Sequence, residues 1–169
     1  MKTISLTKGY SVIVDDADYA ELSQYSWHHS AQGYAARRSG KIILMHRQIL
    51  NSQPGQHTDH INRNRLDNRR SNLRICTLAQ NNRNQKPTGG SSKYKGVSIH
   101  NPSKGRKAIY WRTRIRINGK SKVKLFPHTS QGEKLAALYY DKLAYEYYGE
   151  FAWLNHEHFP ELYGATVNN

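Results

Sequence analysis

Acidic residues are scarce in this 169-residue chain: 12 Asp and Glu stand against 26 Lys and Arg, for a formal net charge of +14. Between Asn68 and Gly132 there is no acid at all, while 16 of the 26 cations fall there. An ordinary solvated surface mixes both signs, so this stretch is built for a polyanion. Cysteine is nearly absent. The single Cys76 excludes an intrachain disulfide and any cysteine-based zinc knuckle, and it suits a buried strand position in a reducing cytosol. No apolar run approaches the length of a membrane span, and the N-terminus lacks the apolar core of a signal peptide, so a cytoplasmic protein without a membrane partner is expected. The length fits one medium domain or two small ones. Small domains bury modest cores, and bound metal or DNA would add stability by mass action.

What is present is concentrated between His57 and Asn82, where an acid sits beside a histidine (Asp59-His60) and amides recur at Asn72 and Asn81, twelve and twenty-one residues after that histidine. Hydrolysis of a phosphodiester needs a deprotonated water in line with the departing oxygen and positive charge where the transition state gathers negative charge. A neutral histidine supplies the first. A hard divalent cation held by a carboxylate and an amide carbonyl supplies the second, and Asp59 and Asn81 are the donors this stretch offers. Asp59 is one of only two acids between Leu22 and Gly132. Its survival in such a basic field points to a cation partner, either a metal ion or a neighbouring arginine in a simple salt bridge. Asp67 and Asn68 read as turn formers, and His57 as a solvated loop histidine.

Local signals allow these groups to converge. Pro54-Gly55 opens a short segment ending at Asp59-His60, a polar loop follows, and Asn72 to Cys76 reads as a second short strand. Thr77-Leu-Ala-Gln80 is a capping box with Thr77 as N-cap, which puts Asn81 at about the fourth helical position.

Asp59-His60-Ile-Asn62, then Leu66-Asp67-Asn68-Arg-Arg-Ser-Asn72-Leu73-Arg74, then Thr77-x-x-x-Asn81 resemble the HNH nucleases, and more closely their phage homing-endonuclease branch. The resemblance implies a ββα-metal site with His60 as general base, Asp59 and Asn81 as ligands of Mg²⁺ (or Mn²⁺), and Asn72 as the amide that holds the loop. Asn82 is a near miss for Asn81. It also implies a phage protein acting on double-stranded DNA in the cytoplasm of a bacterial host. Arg69, Arg70 and Arg74 are candidates to grip flanking phosphates.

The N-terminal segment carries strand-like runs at Ile4-x-Leu6, Ser11 to Val14, Trp27, Tyr34 to Arg38 and Lys41 to Met45. Asp15-Asp16-Ala-Asp18 is an N-cap cluster for a short helix through Leu22, and His46-Arg47 opens a brief helical stretch. His28, His29 and His46 read as surface or packing histidines. Residues 1–86 are taken as one domain, with 57–82 as its core motif. Residues 87–92 have linker composition.

Beyond the linker, Tyr94 to His100, Ile109 to Ile117 and Lys120 to Phe126 read as three strands, with Asn118-Gly119 as the turn. A two-residue loop pairs Arg114 with Val123 and Arg112 with Leu125, mixing cations and apolar groups on one face. A three-residue loop with Gly119 in a bulge instead gathers Arg112, Arg114, Arg116, Lys120, Lys122 and Lys124 on one face and the apolar residues on the other, and is the expected register. Glu133 to Tyr148 reads as an amphipathic helix over the apolar face, stopped by Gly149.

Tyr94-Lys-Gly-Val97, Trp111-Arg-Thr-Arg-Ile-Arg116, Gly119-Lys120, Leu125-Phe126, Ala136-Ala137, Tyr140-Asp141 and Gly149-Glu-Phe-Ala152 with Leu154-Asn155 resemble the Apetala, or ethylene-response-factor, type of DNA-binding domain. This implies a three-stranded sheet in the major groove with Lys95, Arg114 and Arg116 as contacts. Ser98 replaces the arginine usual in that pattern, and the spacing from Phe126 to Ala136 is longer. The expected whole is α+β: an N-terminal HNH (ββα-metal) nuclease domain, then a small three-stranded antiparallel sheet with one packing helix over 93–155, and a tail over 156–169. The expected function is a monomeric, metal-dependent endonuclease that nicks one strand. The alternative is a non-catalytic, sequence-specific DNA-binding regulator that retains an HNH fold.

Overall fold

The computed structural model describes residues 1–102 and 108–162, and the chain divides into two units, Met1–Asn84 and Gln85–Asn169. Both mix helix with sheet, as an α+β chain does.

The first unit opens with a hairpin of β1 (Lys2–Ser5) and β2 (Ser11–Val14), in which Ile4 faces Val12. Helix α1 (Asp16–Leu22) follows as expected, but the acids before it do more than start it. Asp15 stands at the N-cap position without capping; its carboxylate accepts the backbone N–H of Arg70 at 2.8 Å, and Asp18 takes the Arg70 guanidinium at 2.7 Å. A second sheet comprises β3 (His28–His29), β4 (Ala35–Ser39) and β5 (Lys41–Leu44), in the order β3-β4-β5, and α2 (Met45–Ile49) leaves its end. Trp27 stands just ahead of β3 rather than in it, buried, with its indole N–H on the Leu22 carbonyl at 2.8 Å. The core joins Ile4, Leu6, Val12, Val14, Leu22, Trp27, Ala35, Met45 and Ile49 to Leu73 from the motif stretch.

That stretch forms β6 (His57–His60) and β7 (Leu73–Cys76), paired antiparallel, followed by α3 (Leu78–Asn84). The capping box is present: Thr77 Oγ1 accepts the Gln80 N–H at 3.2 Å and Gln80 Oε1 accepts the Thr77 N–H at 2.8 Å. The intervening loop is pinned to the N-terminal hairpin, because Ile13 donates its N–H to Leu66 and accepts from Asn68, both at 2.8 Å. Cys76 is buried in β7, where the sequence places it.

The second unit is one sheet, β10-β9-β8, with β8 at Val97–His100, β9 at Tyr110–Ile117 and β10 at Lys120–Pro127, covered by α4 (Ser130–Tyr148). The helix starts three residues before the expected Glu133 because Thr129 caps it, accepting the Gly132 N–H at 3.0 Å. Gly149 (φ 53°) ends it. Trp111, Ile115 and Ile117 pack on Ala136, Ala137, Tyr140, Leu143 and Ala144. Gly96 is obligatory here: its φ is +75°, and a Cβ would stand 2.0 Å from the Tyr140 ring.

The strand register differs from the one expected. Arg116 faces Ser121, Arg114 faces Val123 and Arg112 faces Leu125, so the loop is the two-residue one. Asn118 (φ 48°) and Gly119 (φ 78°) both take positive φ, the signature of the tight turn whose twist matches the flanking strands. This register also keeps arginine from standing opposite lysine, a pairing that costs up to about 1 kcal/mol. The price is that Val123 and Leu125 remain 52% and 43% exposed. The expected six-cation face does not form.

Residues expected to be linker or tail are also packed. Ser92 is buried and donates to Glu133 at 2.7 Å, while Leu162 is buried beside Tyr94 and Trp111, with Phe159 against the Tyr94 ring. Residues 163–169 of the expected tail lie outside the described residues. Among the described residues, no helix is long and apolar enough to cross a membrane.

Candidate functional site

The β6-β7 pairing places Asp59 directly opposite Arg74 and His60 opposite Leu73. Asp59 is 6% exposed and its Oδ2 takes the Arg74 guanidinium twice, from Nε at 2.9 Å and Nη2 at 2.7 Å. The salt-bridge alternative left open by the sequence is therefore realised. A second donor comes from α3: Asn84 Nδ2 lies 3.0 Å from each Asp59 oxygen and 3.0 Å from the His60 carbonyl. Sequence reasoning missed Asn84. Its signal was its place three residues after Asn81, on the same helical face.

Asn81 donates to the Thr58 carbonyl at 3.3 Å, which sets its side chain against β6, whereas Asn82 is exposed. The helix thus favours Asn81 over its neighbour. Asn72 is buried and spans the loop: its Oδ1 accepts the Asn62 N–H at 2.9 Å and its Nδ2 donates to the Asp67 carbonyl at 2.7 Å.

His60 is 5% exposed, with Nε2 at 2.7 Å from Asn68 Oδ1. With that oxygen as acceptor, Nε2 carries the proton and Nδ1 keeps the lone pair. Burial is the main cause holding the His60 imidazole below its ordinary range, against the opposing pull of the Asn68 hydrogen bond and the Asp59 charge. The ring is neutral at pH 7. Asn68, expected only to form a turn, is fully buried and orients this ring.

A wall of rings lies behind His60. His46 stands 4.9 Å from it edge to face, Tyr34 lies 4.9 Å from His46, and Arg65 lies over Tyr34 at 4.7 Å. His46 is 4% exposed, and its Nδ1 has no partner among the described residues. Burial, then the nearby His60 and Arg47, pushes its imidazole down to about 3. The unfolded chain therefore binds a proton below pH 6.5 that the folded chain refuses until about 3, so stability falls as pH drops through that window. Urea unfolding at pH 7 and pH 5 should show this loss, and His46→Gln should flatten its His46 share.

The three motif arginines expected to grip phosphates are ion-paired within the unit. Arg69 pairs with Asp67 at 2.6 Å, Arg70 with Asp18 at 2.7 Å and Arg74 with Asp59 at 2.7 Å. They were expected to grip flanking phosphates, and each instead faces an acid of its own unit. Asp18 reaches Arg70 across 52 residues of chain, which sequence spacing does not reveal.

In the second unit, the face of the sheet away from α4 carries Arg112, Arg114 and Arg116, held by Ser98, Ser121 and the Gly119 carbonyl. Lys120, Lys122 and Lys124 project to the opposite side by register. Lys122 donates to the Tyr147 hydroxyl at 2.8 Å, and Lys124 lies 4.6 Å over the Tyr139 ring, both on α4. Lys95 donates to the Gln85 carbonyl and lies 5.9 Å from the Trp153 ring.

The donor types of Asp59 and Asn81, a carboxylate and an amide carbonyl, fit a hard divalent ion. Among the described residues no group of three or more His, Cys, Asp or Glu converges, so such an ion would rest on these two and on solvent or phosphate oxygens. Arg74 already neutralises Asp59, and an ion must share that carboxylate or displace the guanidinium.

Residues 53–83 match the family model of the HNH endonucleases. An uncharacterized HNH endonuclease of Acanthamoeba polyphaga mimivirus is 28% identical over 152 residues, covering 86% of this chain and 74% of that protein. No solved structure matches the chain. The HNH reading of the motif stretch is thus supported by a match that spans His57 to Arg83.

Proposed function

We propose that the protein is a metal-dependent DNA endonuclease of the HNH homing type, in which the first unit nicks one strand and the sheet of the second unit binds duplex DNA in the manner of an Apetala-type domain. The observation that carries this reading is a buried His60, oriented by Asn68, next to Asp59 on β6, the strand whose Thr58 carbonyl takes the Asn81 amide of α3. His60 Nδ1 accepts the proton of the attacking water. Asn72 keeps the loop closed, and Asn68 keeps the imidazole in the tautomer that leaves Nδ1 unprotonated. Asp59 and Asn81 would hold the cation, with Mg²⁺ or Mn²⁺ as the fitting ions, and it would supply positive charge against the negative charge that builds up in the transition state. Conversion of supercoiled plasmid to open circles in Mg²⁺, blocked by EDTA, tests the activity.

The Asp59-Arg74 pair favours one competing reading, a DNA-binding regulator that retains the HNH fold without cutting, because a paired carboxylate needs no metal. Arg74→Gln separates the two. Breaking a buried pair costs roughly 3–5 kcal/mol, and if Asp59 is a ligand, Mg²⁺ should restore more of that loss in the variant than it adds to the wild type. Thermal melts with and without Mg²⁺ read the difference. A variant whose melting ignores Mg²⁺ would favour the regulator.

A further inference from the structure

The arginine face carries two apolar side chains that a phosphate-binding surface does not need. Val123 stands opposite Arg114 and Leu125 opposite Arg112, and these aliphatic residues are 52% and 43% exposed. The other sheet face is already covered by α4, and the solvated face of an antiparallel sheet is ordinarily polar. Arg112, Arg114 and Arg116 run along the neighbouring strand β9, their guanidinium Nε atoms tied to Ser98, Ser121 and the Gly119 carbonyl. The sequence places no acid anywhere between Asn68 and Gly132.

An occupant of this face must therefore be anionic and offer small apolar groups within the reach of one or two residues. The DNA major groove does so: phosphates line its rims, guanine presents paired acceptors on its floor, and thymine presents a C5-methyl group. Its size also fits. Three strands about 4.8 Å apart span a width that a groove about 12 Å across admits. An acidic protein surface would match the charge but gives no reason for Val123 and Leu125 to stand exposed on the edge strand beside the arginines.

We propose that Val123 and Leu125 are specificity-determining residues that recognise thymine through its C5-methyl group, beside guanines recognised by the arginines of the same face. The inference rests on the reading that the second unit binds duplex DNA. It makes the preferred site a mixed G and T sequence and assigns part of the choice to residues without charge.

The test uses the full chain in EDTA, with binding as the readout. The tightest duplex is selected from a random-sequence pool and then remade with uracil in place of thymine, a change that removes only the methyl groups. Wild-type affinity should fall by about three- to fivefold per contacted methyl, and the Val123→Ala/Leu125→Ala variant should bind both duplexes alike. Equal wild-type affinity for the two duplexes overturns the thymine assignment and leaves DNA binding standing. An equal fall in wild type and variant overturns it too, since the methyl groups would then be read elsewhere. Failure to retain any duplex would instead remove the underlying reading that this chain binds DNA.

Discussion

His60→Ala is expected to slow plasmid nicking by about 10²- to 10⁴-fold, the contribution of a positioned general base. The imidazole is 5% exposed and held at 2.7 Å by Asn68, which fixes the nitrogen that takes the proton. Because the ring packs on His46 and faces Tyr34, its removal leaves a void, and His60→Gln serves as a second variant that fills the space with a much weaker base. Both variants should keep a cooperative urea transition. Undiminished cutting by either well-folded variant would take His60 out of the role of base. Asn68→Ala should lose part of the activity through misplacement of the ring, with His60 still present.

The second large effect is expected at the arginine face. Arg114→Ala or Arg116→Ala should reduce discrimination between preferred and unrelated duplexes by about 1–3 kcal/mol if either reads a guanine edge. The lysines of β10 provide the control. Six cations on one face would add a salt dependence of roughly five to the slope of log affinity, whereas the three arginines alone add about 2.7, at 0.9 per phosphate contact. Replacing Lys122 and Lys124, which rest on tyrosines of α4, should therefore change the slope little. A larger effect from the lysines than from the arginines would show that DNA meets the other side of the sheet.

Much of the site was legible because its residues are bound to local spacing. The Asp59-His60 pair, the Thr77 capping box and the turn from strand to helix each depend on residues within a few positions of one another. Asn81 was chosen over Asn82 from spacing, and the helix turns the first toward β6 and exposes the second. What escaped depends on tertiary pairing. Asn84 reaches Asp59 across 25 residues and Arg70 reaches Asp18 across 52, distances at which sequence separation says nothing about contact.

The sheet register failed for a different reason. Segregating cations from apolar residues looked like the stronger rule, yet the Asn118-Gly119 turn decides the pairing and leaves Val123 and Leu125 in solvent. A surface that violates the usual sorting is itself informative. It is the same face whose chemistry matches a groove containing both acceptors and methyl groups.

Incubation of the wild-type chain with supercoiled plasmid in Mg²⁺, in Mn²⁺ and in EDTA tests the central claim most directly, with open circles resolved on a gel over time. Nicked circles should accumulate with either ion and stop in EDTA, and linear product should lag behind them because one centre cuts one strand. Retarded but intact plasmid under all three conditions would contradict the account and leave a DNA-binding protein built on an HNH fold.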